Sequence, residues 1–474
     1  MSNTFSRRKF LAVNAAAASA SFLPQELTGD FIGNGQQNAF AYQGAAKTKR
    51  PRIVVIFTVL RFRSHAYNIL ENFLGPYYFR GQLVDPGVDV VAFYADQFPD
   101  DDMAREVSRR FKIPLYQSID QALCVGGKQL AVDAVLSIGE HGDYPYNERG
   151  QQLYPRKRFF DESIAVMKRS KRFVPFFNDK HFSYRWDWAK EMYDTCRTHQ
   201  MPLLGGSSVP LAERKPAFSL PPDAEIEEAV SIHGGGLETY DFHGLEVLQS
   251  IVESRRGGET GIESVELLIG ERFEAALAAG RWSQDLVDAA MQAEKSMNAR
   301  RQPRPKTGVF KQDPKKSKPN NERPARPTGP HAIIVKYRDG LTATVLKVGS
   351  SSDRWNFACR LKGEKSPRAV SIFNSPWGNR GLFKALSHSI QRLFIDNREP
   401  YPAERTLLTT GAVEAVMQSY EDNGQLIKTP HLKISYQSGD WSGMRENGKT
   451  WDVITTSTPQ PTSFAPRPFS ELNQ

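Results

Sequence analysis

The residues of this chain best suited to chemistry are histidines set beside carboxylates and a lysine. Of nine histidines, four fall in polar loops: His141 in Gly139-Glu140-His141-Gly142-Asp143, His181 in Asn178-Asp179-Lys180-His181, His233 in His233-Gly234-Gly235-Gly236, and His243 in Asp241-Phe242-His243 with Glu246 three residues on. Imidazoles and carboxylates together can move protons near neutral pH, and a lysine beside them can hold a developing oxyanion. The same kinds of donor, on His141, Asp179, His181, His243 and Glu246, could instead ligate a divalent metal such as zinc or manganese, which polarises a carbonyl or activates water. Each loop follows a run that reads as a strand or opens the helix after one. In an open α/β sheet, ligands bind beyond the carboxyl ends of the strands.

The elements that must position these residues follow from the apolar pattern. Residues 53–58, 88–94, 112–116, 132–138, 173–177 and 202–204 are short runs of the kind expected for strands buried on both faces. Helical stretches intervene at 67–74, 102–111, 119–123, 159–168 and 186–199. Alternation of this kind predicts an α/β fold opening with a Rossmann-like, doubly wound parallel sheet over 51–208. Over 209–436 the pattern becomes α+β with a mostly antiparallel sheet, including a hairpin signal at Asp339-Gly340. Thr409-Thr410-Gly411 reads as the start of the last long helix. From 437 to 474 the composition is that of a polar tail.

Charge narrows the function classes. The 474 residues carry 62 Lys and Arg against 53 Asp and Glu, a net charge of +9, yet residues 299–330 alone contribute +8 and residues 1–50 another +4. The remaining body is slightly acidic, which argues against a nucleic-acid-binding fold. The 299–330 stretch is basic, rich in proline and poor in large apolar residues, so it is expected to be a disordered insertion. Ser6-Arg7-Arg8-Lys9-Phe10-Leu11, the Ala-rich run after it and Ala39-Phe40-Ala41 resemble a twin-arginine export signal over 1–41, with a linker at 42–50. The expected location is therefore periplasmic or otherwise extracytoplasmic, with the twin-arginine machinery as a partner. Mean hydropathy is −0.50, and the three cysteines are far apart without a CxxC pair. Neither a multi-span membrane protein nor a disulfide scaffold fits.

A doubly wound first domain, Asp179-Lys180-His181 after its fifth strand, and a second domain opening with Gly234-Gly235-Gly236, then Asp241 and His243, resemble the glucose-fructose oxidoreductase/inositol dehydrogenase (Gfo/Idh/MocA) family over about residues 51–430. The resemblance implies hydride transfer between a sugar or polyol and NAD(P), with Lys180 and His243 as catalytic residues. It implies cofactor contacts from Arg61, Ser64, Asp96, Glu140 and Asp179, and substrate contacts from His141, His181, His233, Asp241 and Glu246. In that family an exposed antiparallel sheet face commonly makes homo-oligomers.

Two departures stand out. Lys180 is followed by His181 where the family has proline, and the first βα loop, Thr58-Val59-Leu60-Arg61-Phe62-Arg63-Ser64-His65, has none of the glycines that let backbone amides approach a pyrophosphate. Three readings stay open: the dehydrogenase, a nucleotide-free metal-dependent carbohydrate lyase, isomerase or hydrolase, and a non-catalytic extracytoplasmic binding protein.

Overall fold

The computed structural model describes residues 50–298, 326–461 and 464. The expected export signal, nearly all of the expected linker, the insertion through residue 325 and residues 462–463 and 465–474 lie outside them. The first half contains β1 (Arg52–Phe57), α1 (His65–Leu70), a hairpin of β2 (Tyr77–Phe79) and β3 (Gln82–Val84), β4 (Asp89–Ala95), α2 (Ala104–Phe111), β5 (Leu115–Tyr116), α3 (Ile119–Leu123), β6 (Ala134–Ile138), α4 (Arg156–Arg169), β7 (Phe176–Asp179), α5 (Trp186–Thr198) and β8 (Leu203–Gly206). Six of these strands form one parallel sheet in the order β5-β4-β1-β6-β7-β8. Ile53 to Phe57 are wholly buried, as their unbroken apolar run requires.

The second half contains β9 (Glu213–Lys215), β10 (Ile226–His233), α6 (Thr239–Val252), β11 (Ile262–Ile269), α7 (Glu271–Ala278), α8 (Gln284–Asn298), β12 (His331–Tyr337), β13 (Thr342–Lys347), β14 (Trp355–Leu361), β15 (Arg368–Phe373), α9 (Leu382–Asp396), α10 (Glu404–Glu421), β16 (Ile427–Lys428) and α11 (Thr450–Val453). Its eight-stranded sheet runs β16-β11-β12-β13-β10-β14-β15-β9 and is antiparallel except where β10 meets β13. The α/β-plus-α+β architecture is thus as the sequence indicates. No helix among the described residues is long and apolar enough to cross a membrane.

Several features depart from the sequence reading. Phe273, Trp282, Leu286 and Ala290 of the α7–α8 region pack on Val230, Ile232 and Leu346, so helices cover a sheet face of the kind expected to pair copies of the chain. Thr409, Thr410 and Gly411 lie inside α10, where both hydroxyls bond back to carbonyls one turn earlier. The helix begins at Glu404 instead, because Thr-Thr-Gly is tolerated in a packed interior that supplies what propensity lacks. Gly411 is needed there, since a Cβ would lie 2.3 Å from Leu432 Cδ2 and 2.9 Å from Trp186 Cε3.

Residues 437–461 do not hang free as composition suggests. The indole Nε1 of Trp441 donates to Glu253 at 3.1 Å, Glu253 pairs with Arg405 in the interior, and Thr450 is buried. Phe464 packs against Tyr67 with ring centroids 4.5 Å apart and planes tilted by 37°. The final five residues of the basic insertion, 326–330, are also held: Arg326 donates to the carbonyl of Leu237 at 2.8 Å, and Lys347 Nζ to that of Gly329 at 2.9 Å.

Candidate active site

A cavity of about 580 Å³ opens beyond the carboxyl ends of β1, β6 and β7, and the start of α6 forms its far wall. Glu140, His141, Lys180, His181 and His243 all line it, so the sequence-based grouping of these five holds in space. Four residues on its wall, Arg63, His141, Lys180 and Glu238, have φ between 62° and 68°. Non-glycine residues seldom take this conformation, and such strain gathers where side chains must be aimed.

Glu140 is the electrostatic centre. Its carboxylate accepts from Arg156 Nη2 and lies 3.3 Å from Lys180 Nζ. Burial favours its neutral form, but Lys180 and then Arg156 outweigh this and hold it ionised well below the usual carboxylate range. Arg156 passes close because residue 139 is glycine; a Cβ there would lie 2.8 Å from Arg156 Cγ. Among the described residues the Nε and Nη1 of Arg156 have no hydrogen-bond partner, and both atoms are buried.

The imidazoles divide by partner. His65 Nδ1 lies 2.6 Å from the buried carboxylate of Asp179, the arrangement that fixes Nδ1–H and leaves Nε2 as an acceptor. His243 Nδ1 lies 2.6 Å from Ser207 Oγ, and burial, then Lys180 and His65, push its pKa well below the ordinary value. His181 Nδ1 donates to the carbonyl of Ser183 at 2.8 Å, and burial followed by Arg156 lowers its pKa too. Nε2 of His141 is buried with no partner among the described residues, and burial, then His65, bring this residue down to about 3. At neutral pH His141, His181 and His243 are therefore uncharged. Tyr240 and Trp355 add an aromatic wall, stacked at 5.3 Å and 7°.

Three residues assigned to substrate lie elsewhere. His233 and Asp241 are wholly buried beneath the cavity, where Asp241 Oδ1 accepts from Nε2 of His233 at 2.9 Å and of His331 at 2.8 Å. Asp241 Oδ2 takes the N–H of Glu238 and caps α6. Glu246 faces inward to Ser207 N–H at 3.2 Å and to Thr409 Oγ1. Loop position did not distinguish these structural roles from a place on the cavity wall.

The metal set named from sequence does not assemble either. Among the described residues the one cluster of three metal-capable side chains is His233, Asp241 and His331. There Nδ1 of His233 accepts from Gly235 N–H at 3.3 Å, which puts the proton on Nε2 and makes its contact with Asp241 a hydrogen bond rather than a ligand geometry.

The dinucleotide seat is closed as well. Val59 and Leu60 are buried, and Ser64 Oγ takes the N–H of Tyr67 at 3.2 Å and of Arg61 at 3.3 Å. Ser64 is thus the N-cap of α1, and Arg63 rather than Arg61 reaches the cavity. Asp96 accepts from Tyr94 and Tyr144 at 2.6 Å each and from Arg158, leaving little acceptor capacity for a ribose. Gln97 exchanges two 2.8 Å bonds with the backbone of Asp143, tying the 141–145 loop over that strand end. Arg63 in turn donates to the carbonyl of Trp377 at 3.0 Å, and Phe383 lies 4.8 Å from the His65 ring. These residues do not fit a dinucleotide in the ordinary Rossmann pose.

Sequence reasoning missed His65, Arg156, Arg326 and the Tyr240–Trp355 wall. His65 could have been found by the rule that picked out the others, since it sits in the loop after the first strand. Arg326 could not, because it ends a stretch whose composition signals disorder.

No protein-family model and no curated protein sequence matches the chain. Solved structures similar in fold include the scyllo-inositol dehydrogenase of Lactobacillus casei with bound NAD(H) and scyllo-inositol (10% identity, 80% of this chain and 99% of that one, TM-score 0.46). Others are a myo-inositol dehydrogenase of Corynebacterium glutamicum (10%, 80% and 98%, 0.46) and GenD2 of gentamicin A biosynthesis in complex with NAD (10%, 81% and 98%, 0.49). At that distance nothing about cofactor or substrate transfers from them to this chain.

Proposed function

We propose that this chain is an enzyme that performs acid–base chemistry on a small hydroxylated substrate, carbohydrate-like and bearing a carbonyl or carboxylate, without a dinucleotide in the Rossmann seat. The observation that carries this reading is the Asp179–His65 pair on the same cavity as the Lys180–Glu140–Arg156 cluster. His65 Nε2, with its tautomer set by Asp179, accepts a proton from substrate. Lys180 holds the oxygen on which negative charge develops, and Arg156, behind Glu140, adds positive charge to that side of the cavity. Neutral His243 on the α6 wall is placed to move a second proton, and Tyr240 and Trp355 offer flat apolar faces to the C–H side of a sugar ring. Isomerisation, epimerisation and elimination all fit this set.

The test is C–H exchange. Mature protein is incubated in D2O with keto sugars and sugar acids and followed by NMR, with His65→Asn and Lys180→Met alongside and an NAD(P)H fluorescence titration in parallel. Exchange without nucleotide, lost in both variants, supports the reading. The hydride-transfer reading keeps one observation in its favour, Lys180 and His243 on a single cavity at the strand ends; turnover seen only with added NAD(P) would establish it. Ligand binding with neither activity would make this an extracytoplasmic binding protein. We also propose export by the twin-arginine route, supported by Arg7-Arg8 and Ala39-Phe40-Ala41. A mature N-terminus at Tyr42, lost when both arginines become lysine, is the expected result of fractionation and N-terminal sequencing.

A further inference from the structure

A second cavity, of about 700 Å³, lies between β9, the 216–219 loop, the end of α8 and residues 442–447, and shares no lining residue with the first. Four cationic side chains, Arg80, Arg214, Lys215 and Arg445, line it against two carboxylates, Glu213 and Glu446. Neither carboxylate serves the arginines. Glu213 lies 3.3 Å from Lys215 Nζ, and Glu446 takes Thr450 Oγ1 at 2.7 Å and the backbone N–H of Arg80 and Asn447.

Arg214 and Arg445 instead converge on one neutral acceptor. The Nη1 of each lies 3.4 Å from the carbonyl oxygen of Phe218, at the outer limit of a hydrogen bond. Both guanidinium groups also lie over the ring of Trp441, at 5.6 and 5.3 Å. Arg214 is 9% exposed and its Nε has no hydrogen-bond partner among the described residues; its Nη2 lies 3.4 Å from the carbonyl and the hydroxyl of Ser250. Burial, then repulsion from Arg445 and Arg405, push Arg214 well below the usual guanidinium range. A guanidinium does not release its proton in proteins, so a buried positive charge stands here with no carboxylate in ion-pair contact among the described residues; Glu253, which offsets part of it, is itself paired with Arg405.

We propose that this cavity binds the oxyanion group of a small molecule, a carboxylate or a phosphate, between Arg214 and Arg445. Paired N–H donors in a fixed fork suit such planar or tetrahedral oxygens, and a stacked indole keeps the forks oriented. Pro216, Phe218 and Met297 supply apolar surface beside the charged end, so the ligand is an anion with a hydrocarbon portion rather than a polyphosphate. The inference does not depend on the chemistry of the first cavity.

The test is calorimetric titration of the full mature chain with inorganic phosphate, sulfate, acetate and hexanoate at matched ionic strength, with chloride as reference. Saturable binding of at least one oxyanion is expected, weakened tenfold or more in both Arg445→Gln and Arg214→Gln. Preference for hexanoate over acetate identifies a carboxylate with an apolar chain; preference for phosphate identifies a phosphomonoester-like ligand. If Arg214→Gln does not fold, the partly exposed Arg445→Gln decides alone. Absence of saturable binding by any of the four anions, or affinity unchanged in Arg445→Gln, overturns the proposal.

Discussion

Asp179 and His65 stand 114 positions apart in sequence and 2.6 Å apart in space, the carboxylate at the end of β7 and the imidazole at the start of α1. The pair faces a lysine–glutamate–arginine cluster, so the proposed base and the proposed oxyanion support would come from different strand ends of one sheet. Asp179→Asn should present an amide to Nδ1 and unsettle the imidazole tautomer. The expected loss of kcat is about 10²–10⁴-fold for His65→Asn, and Asp179→Asn should approach it with a folded, ligand-binding protein. Full activity in Asp179→Asn would remove His65 from the role of base.

Glu140 separates two buried cations. Glu140→Ala leaves Lys180 and Arg156 facing each other without a counter-charge, and the expected destabilisation is about 3–5 kcal/mol in urea unfolding. The double variant Glu140→Ala/Lys180→Met should recover part of this. A loss below about 1 kcal/mol in the single variant would show that solvent already screens the cluster.

Two adjacent glycines before α6 should behave differently. A Cβ on Gly235 would lie 1.8 Å from the Tyr240 ring, whereas one on Gly236 meets nothing within 4 Å. Gly235→Ala should displace Tyr240 from Trp355, cost about 1–3 kcal/mol and alter near-ultraviolet dichroism. Gly236→Ala should stay within about 0.5 kcal/mol of wild type. Equal effects in the two would contradict the stacked wall.

Acid should unfold the protein in two stages. Burial brings His141 down to about 3 and His388 to about 4, so the folded state holds them neutral while the unfolded chain takes up protons near pH 6.5. The unfolded state then binds more protons, and stability falls as pH drops from about 6.5 toward 3–4, by up to about 1.4 kcal/mol per pH unit for each histidine. Glu140 and Asp241 are depressed carboxylates, so their contribution is present above about pH 4 and lost below it. Urea midpoints flat between pH 7 and 5 would refute the first stage.

Ending the chain at Tyr436 should not be neutral. Trp441 and Phe464 are lost together with Glu446, leaving Glu253, Arg214 and Tyr67 uncovered. The truncated protein should melt several degrees lower and bind a hydrophobic dye; an unchanged Tm would restore the polar-tail reading.

Much of the architecture was legible because burial on both faces writes continuous apolar runs, as in residues 53–57, and crossover helices are obligatory between parallel strands. The grouping of Glu140, His141, Lys180, His181 and His243 was legible for a related reason, since strand ends converge by topology. What burial does to a loop residue was not. His233, Asp241 and Glu246 occupy the same loops and helix start as true cavity residues, and only the packing of α6 turns them inward. Residues 437–461 were misjudged because a segment that buries a few anchors such as Trp441 has nearly the composition of one that buries none.

The contact between Phe464 and Tyr67 has a consequence for the order of folding. One of the first helices of the body is covered by an aromatic ring nearly 400 positions later in the chain, and Glu253 waits for Arg405, Tyr436 and Trp441. The opening helix and the middle of the chain therefore reach their final packing only when these distant segments dock. Closing loops of that length makes such contacts late steps of folding, and the early sheet must persist without them until then.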